Sequence, residues 1–401
     1  MPNLAKDKLC TGCMACKDAC LRNAISIVYK NGLIFPSVNQ NICVECRACE
    51  KVCPIKTPVT KNVVDDMHVY GGWAKDDNTR INGASGGAFS GLAQSFVIQH
   101  QGEVAVYGAC LKDNRVKHIR VDSLDNLPLL MNSKYIQSST EGIYRQIKND
   151  ILSGIWVLFS GTPCQVAGVY GYLGKLRNYE KLLTVELVCH GVPGNEALDI
   201  HLHHFNSPRI LSFRNKEEGQ FWYKSQCTTI IRDGVPFRFN RQDDVFYKIY
   251  SGWLLDRKSC SNCQYSSLER VADITLADFW GGAKSEEEYI KGVNVIITNN
   301  IKADTIVKGS KDLFIYSSTL SKVINGNANM YNGFKYIQYH PFVMWPNFFR
   351  KVLPKRIWLQ VVENRMPWKL LWAIYKMLTI LHSKRLKKSI LIKYESVLCS
   401  E

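Results

Sequence analysis

Cys10, Cys13, Cys16 and Cys20 read C-x-x-C-x-x-C-x-x-x-C, and Cys43, Cys46, Cys49 and Cys53 repeat that spacing 33 residues later, this time followed by Pro54. Thiolates are the ligands of iron–sulfur clusters, and a tight loop with three cysteines at this interval wraps three corners of a cube. The C-x-x-C pairs would also suit tetrahedral zinc. A zinc site, however, needs only four ligands and gives no reason for two identical runs so close together, so the spacing favours clusters. Gly12, Ala15, Ala19 and Ala48 are small enough for the crowded space around one. Between the loops, residues 25–28 and 33–35 flank Asn31-Gly32 and read as a short hairpin.

Residues 1 to about 60 resemble a bacterial-type 2[4Fe–4S] ferredoxin. In two-cluster ferredoxins the fourth ligand comes from the other repeat. The resemblance therefore implies one [4Fe–4S] cluster on Cys10, Cys13, Cys16 and Cys53 and a second on Cys43, Cys46, Cys49 and Cys20.

The elements beyond are those of an α/β domain. Asn82 to Gly91 contains Ser85-Gly86-Gly87 and leads into a helical stripe over 92–100, followed by a strand over 103–110. A Ser/Gly turn that opens a helix presents free N–H groups and the positive dipole end, which suits a phosphate, although an ordinary tight helix entry looks the same. Residues 155–159 read as a buried parallel strand, and Ser160-Gly161-Thr162-Pro163-Cys164-Gln165 turns into a helix reaching about residue 176. Thr162 is placed to cap it and Pro163 to fill its first position. Cys164 then lies in the first turn, where the dipole favours a thiolate. The strand over 182–188 ends at Cys189-His190-Gly191, so two strand ends bring a cysteine to one sheet edge, where open α/β folds bind ligands.

Cys260 and Cys263 form a later C-x-x-C, and with Cys164 and Cys189 they would complete another set of four. Packing thiols plus a zinc knuckle or redox dithiol fit the spacing equally well. Cys110, Cys227 and Cys399 have no partner at ligand spacing. The run 271–282 alternates like a strand and ends in Asp278, Trp280 and two glycines, as suits either a binding rim or a buried strand leaving through a turn; 293–298 reads as the last strand of this region.

Taken together, Ser85-Gly86-Gly87, residues 132–138, residues 158–165, residues 188–193, Phe213-Arg214-Asn215-Lys216, Cys260 to Cys263 and residues 273–280 resemble the coenzyme F420 hydrogenase/dehydrogenase β-subunit family. The resemblance implies a flavin-binding α/β core, usually with FAD, beside a third [4Fe–4S] cluster on Cys164, Cys189, Cys260 and Cys263. Ser85, Gly86, Gly87, Ser160, Gly161, Thr162, Pro163 and Gln165 are the candidates for the flavin phosphates, with Lys134 as a charge partner. His190, Asp278 and Trp280 are candidates for the ring or substrate pocket.

The expected architecture is an α+β ferredoxin-like 2[4Fe–4S] module (1–62), a larger α/β flavin-binding domain (66–335) and a basic helical extension (341–401). The expected function is that of an iron–sulfur flavoprotein oxidoreductase with a redox protein partner or partner subunit and a small-molecule substrate, such as F420 or another hydride carrier. The alternative is a non-catalytic electron-transfer subunit that docks a partner enzyme.

Composition adds location. The chain has 401 residues, 15 cysteines and a net charge of +16, with 46% hydrophobic residues, which excludes disorder and low complexity. The N-terminus shows no signal-peptide core, so a cytoplasmic protein with reduced thiols is expected. Residues 341–401 hold +9 of the +16 and four of the nine tryptophans. A helix over 368–382 with Lys384, Arg385, Lys387 and Lys388 beyond it could lie on the inner face of the membrane, or pack on the flavin domain or a partner subunit. Nucleic-acid binding is not expected, because no recognised module accompanies the charge.

Overall fold

The computed structural model describes residues 2–331, apart from 204, 206, 207, 218, 241, 242, 252, 254 and 325. Cys399 and the basic tail fall outside the described residues.

The two cysteine loops each end in one helical turn, α1 (Ala15–Asp18) and α2 (Ala48–Lys51), and between them β1 (Ile25–Lys30) and β2 (Leu33–Val38) pair as the antiparallel hairpin that Asn31-Gly32 predicts. The duplication extends to the backbone. Gly12 and Met14 take positive φ values of 69° and 58°, and Glu45 and Arg47, 33 residues on, take 54° and 57°. Each loop therefore turns through the left-handed region at the same two places, which is costly for Met, Glu and Arg.

The rest is built on an eight-stranded mixed sheet in the order β13-β3-β12-β11-β7-β6-β4-β5. In chain order its strands and covering helices are β3 (His68–Ala74), α3 (Asp77–Asn82), α4 (Ala88–Gln99), β4 (Val104–Lys112), β5 (Arg115–Val121), α5 (Ile143–Leu152), β6 (Trp156–Gly161), α6 (Pro163–Leu173) and β7 (Leu182–Leu187). A three-stranded antiparallel sheet follows, β8 (Arg209–Ser212), β9 (Thr229–Arg232) and β10 (Val235–Arg238), flanked by α7 (Asn195–Leu202) and α8 (Val245–Ser251). The chain then re-enters the large sheet with β11 (Ile274–Asp278), α9 (Glu286–Lys291), β12 (Asn294–Thr298), α10 (Ile301–Gly309), β13 (Leu313–Ser317) and α11 (Leu320–Ile324).

β4, β6, β7 and β11 run parallel. Their apolar runs are buried on both faces: Val157, Leu158 and Phe159 of β6 and Leu182 of β7 have no exposure. β12 runs antiparallel to β11, and the sheet continues past it to β3 and β13, so the strand at 293–298 is not its last.

The first cysteine loop and the hairpin are bound to this body by several hydrogen bonds. The buried Asp18 carboxylate accepts the N–H groups of Gly142 (2.8 Å) and Tyr144 (3.0 Å) at the start of α5. In return Arg145 donates to the carbonyls of Asp18 (2.6 Å) and Cys20 (2.9 Å). Thr140 donates to Cys13 O at 2.8 Å, and Ile34 N–H donates to Gln137 Oε1 at 2.9 Å.

Candidate redox centre

The four cysteines that the ferredoxin resemblance assigns to the first cluster lie around one cavity. Cys10, Cys13, Cys16 and Cys53 line one small cavity, together with Gly12, Met14, Pro36 and Pro54. Burial pushes the Cys13 thiol up to about 12 and raises Cys10 and Cys16 as well, with neighbouring thiols adding to the rise. Without a cation these thiols stay protonated, whereas a bound thiophilic metal removes the proton outright. A cavity walled by four thiols, Thr11 and otherwise apolar residues, with no carboxylate or imidazole in its lining, fits an iron–sulfur cluster.

The cysteines expected to hold the second cluster are mostly more exposed. Cys46 is exposed, Cys43 and Cys20 are half-buried, and Cys49 is buried with its thiol raised by that burial. Leu21, Ile42 and Val44 stand exposed close to it in the chain, at 91%, 42% and 59%.

Cys164, Cys189, Cys260 and Cys263 come together at the C-terminal edge of the sheet. Cys164 opens α6, Cys189 follows β7, and the other two sit in the short turn at Lys258–Asn262 and just after it. Burial raises every one of them, and they also raise one another: Cys263 acts on Cys164, Cys164 and Cys263 on Cys189, and Cys189 and Cys263 on Cys260. The position of Cys164 in the first helical turn does not make it a thiolate. Burial, with Cys263 next, outweighs the dipole and takes it to about 11. This group lies next to the first. A Cβ on Gly168 of α6 would stand 3.0 Å from Cys13 Cβ and 3.1 Å from its Sγ, so only glycine lets the helix that starts at Cys164 rest on the Cys13 loop.

Among the described residues, no three of His, Cys, Asp and Glu are gathered so as to hold a single metal ion. Cys110 and Cys227 are buried away from these groups, and Arg238 donates to the Cys227 sulfur at 2.9 Å.

The turns expected to hold phosphate lie at the same sheet edge, and much of their polarity is already used. Ser85 donates to Val293 O at 2.6 Å, and Ala88 N–H, at the start of α4, donates to Asn294 Oδ1 at 3.0 Å. Gly86 presses on the backbone of Gly72 and Asn294, and Gly87 takes a positive φ against Thr79 O. Gln165 accepts from Thr162 N–H at 2.9 Å and donates to Ser138 O, which holds the Ser160–Pro163 turn as a helix cap. Ser160 O pairs with the His118 ring, and Gly161 leaves room for Phe159 and Gln165. Lys134 closes its own loop on Met131 O (2.5 Å), and burial brings its ammonium down to about 8.

His190 is stacked on Trp253 at 4.5 Å and kept neutral by burial, its pKa pulled down to about 3. Asp278 pairs with Arg214 at 3.2 Å, and Trp280 meets Trp222 at 4.9 Å between centroids.

Residues 155–319 match the family described as the C terminus of the coenzyme F420 hydrogenase/dehydrogenase beta subunit, and residues 9–57 match the 4Fe-4S dicluster domain. The larger domain is therefore similar over these residues to the C-terminal part of the coenzyme F420 hydrogenase/dehydrogenase β-subunit family. The two matches support an oxidoreductase-type enzyme with an N-terminal dicluster module. No curated protein matches it. Among solved structures, a chain of the F420-reducing [NiFe] hydrogenase complex from Methanosarcina barkeri is 13% identical, with a TM-score of 0.46 over 70% of this chain and 93% of that one.

The structure adds cations that sequence reasoning left without a role. Arg214 is 4% exposed, and its Nε and Nη2 are buried with no hydrogen-bond partner among the described residues. Its face lies over the Trp222 ring, 5.2 Å from the centroid. Lys216 donates to Arg80 O and, at 2.9 Å, to Gly83 O, the segment leading into Ser85-Gly86-Gly87. Burial, with Arg214 and Arg80 nearby, pulls its ammonium down to about 6. Arg80 is itself buried, bonded to Gly292 O and stacked on Trp73. The signal was the run Phe213-Arg214-Asn215-Lys216, two cations two residues apart, but nothing local shows which way they point.

Proposed function

We propose that this protein is an iron–sulfur flavoprotein oxidoreductase that passes electrons between [4Fe–4S] clusters and a reducible small molecule or hydride carrier at a flavin. The contact of Gly168 with Cys13 carries this reading, because it sets the buried ferredoxin-type group directly against the group on Cys164, Cys189, Cys260 and Cys263. A thiol group at the solvent face, a second behind it and a third at the sheet edge form a graded path inward.

A bound flavin exchanges a hydride as two electrons and a cluster carries one, so the pair converts between the two. The residues supply the setting. Arg214 and Lys216 face one carboxylate, Asp278, and Arg80 adds further positive charge on Lys216. Buried unpaired cations are costly. An FAD diphosphate would satisfy Arg214 Nε and Nη2 and hold Lys216 protonated, with Ser85, Gly86 and Gly87 on the loop that Lys216 orders. Trp222 and Trp280 offer faces for a ring, and Asp278 fixes the arginine plane. Neutral His190, next to Cys189 in the chain, is stacked on Trp253.

The exposed Cys46 loop, with Leu21, Ile42 and Val44, is the face offered to a redox partner protein or partner subunit. Among the described residues no helix is long and apolar enough to cross a membrane. Anaerobically prepared protein should contain stoichiometric flavin and bleach when given reduced F420, NAD(P)H or reduced ferredoxin. Full iron with no flavin, and none taken up on addition, would leave only the docking-subunit alternative.

A further inference from the structure

Arg257 is 2% exposed and belongs to both buried thiol groups at once. Its backbone is part of the sheet-edge group: its N–H donates to Val192 O at 3.1 Å, and Cys260 N–H donates to its carbonyl at 2.9 Å. Its side chain crosses into the ferredoxin-type group, where Nη1 donates to Cys10 O at 2.7 Å and Nη2 donates to Ile34 O and, at 3.2 Å, to Gln137 Oε1. The guanidinium lies over the Phe35 ring, 4.2 Å from its centroid. A Cβ on Gly12 would come within 2.6 Å of Nη2, so the loop approaches the arginine as closely as a glycine permits.

No carboxylate among the described residues forms an ion pair with it; the groups that favour its charge are Cys10, Cys260, Cys164 and Cys13, two from each set. A buried cation without a carboxylate needs some other negative charge. Four thiolates around an iron–sulfur core carry net negative charge, which grows by one on reduction, and the potential of such a centre follows nearby charge and hydrogen bonds.

We infer that Arg257 is the shared counter-charge of these two centres and holds the reduction potentials of both above that of the exposed centre on Cys43, Cys46, Cys49 and Cys20. The inference rests on the three-centre reading above. It makes inward electron flow downhill to a pair of centres tuned by one residue.

The test is a potentiometric titration followed by electron paramagnetic resonance on the anaerobic holoprotein, with signals assigned through the C46S and C260S variants. Arg257→Met removes the charge. Gln137→Glu, nearly isosteric, neutralises it in place and keeps an acceptor for Ile34 N–H. Both should lower the two buried potentials with iron content unchanged and the exposed centre unmoved, whereas Arg257→Lys should retain most of the wild-type values. Unshifted buried potentials in Gln137→Glu, or equal shifts in all three centres, would overturn the inference. Wild-type protein lacking the Cys260 centre would instead overturn the three-centre reading.

Discussion

The two cysteine loops share a spacing and a backbone path and differ in almost everything around them. Gly12, Met14, Ala15 and Asp18 of the first are buried in the α/β body, while Glu45 and Arg47, two of their counterparts in the second, are exposed at the same positive φ. The shared part is what wrapping a cluster demands of the chain. The difference suits the electron path proposed above, with one centre reached from solvent and one enclosed. A duplicated sequence thus meets two different surroundings on one backbone path.

Substituting matched positions should break the symmetry further. Gly12→Ala would force a Cβ to 2.5 Å from Gln137 Nε2 and 2.8 Å from Ile34 O, at a φ that already disfavours it. Overpacking of this kind costs about 1–3 kcal/mol, so chemical denaturation should show a clear loss of stability. Glu45→Ala, at the equivalent exposed site, should stay within about 0.5 kcal/mol of wild type. Asp18→Ala should cost about 1–2 kcal/mol, because it uncaps α5 at two N–H groups, whereas Lys51→Ala at the matching position should change almost nothing. A first loop as tolerant as the second would mean that its docking on the α/β body contributes no stability.

The smallest effect concerns pH. Lys216 titrates at about 6 with nothing bound, so its positive charge is present below that pH and lost above it. Flavin should therefore bind the apoprotein more tightly at pH 5.5 than at pH 8, and the difference should vanish in Lys216→Met. A pH-independent affinity in the wild type would remove Lys216 from the phosphate site.

Much of this was readable from the chain. Cysteine spacing is a local property, so both loops could be read directly, whereas the crossing of Cys53 into the first group came only from the ferredoxin resemblance. The same holds for β6, the Thr162-Pro163 helix entry and the hairpin, each specified within a dozen residues. Arg214 and Arg257 could not be read in this way. Their partners lie 64 and 247 residues away, at Asp278 and Cys10, and an isolated arginine has no periodicity to reveal that it is buried. Ser85-Gly86-Gly87 shows the opposite limit: its glycines were visible, but their packing on Gly72 and Asn294 was not.

The central claim is that four cysteines gathered from three places in the chain hold a centre of their own beside the ferredoxin-type pair. Iron and acid-labile sulfide should be counted on anaerobically reconstituted wild-type protein and on the Cys260→Ser, Cys263→Ser double variant. The account predicts about twelve irons in the wild type and a loss of about one third in the variant, with the dicluster signals intact. An iron count unchanged by the double substitution would contradict it.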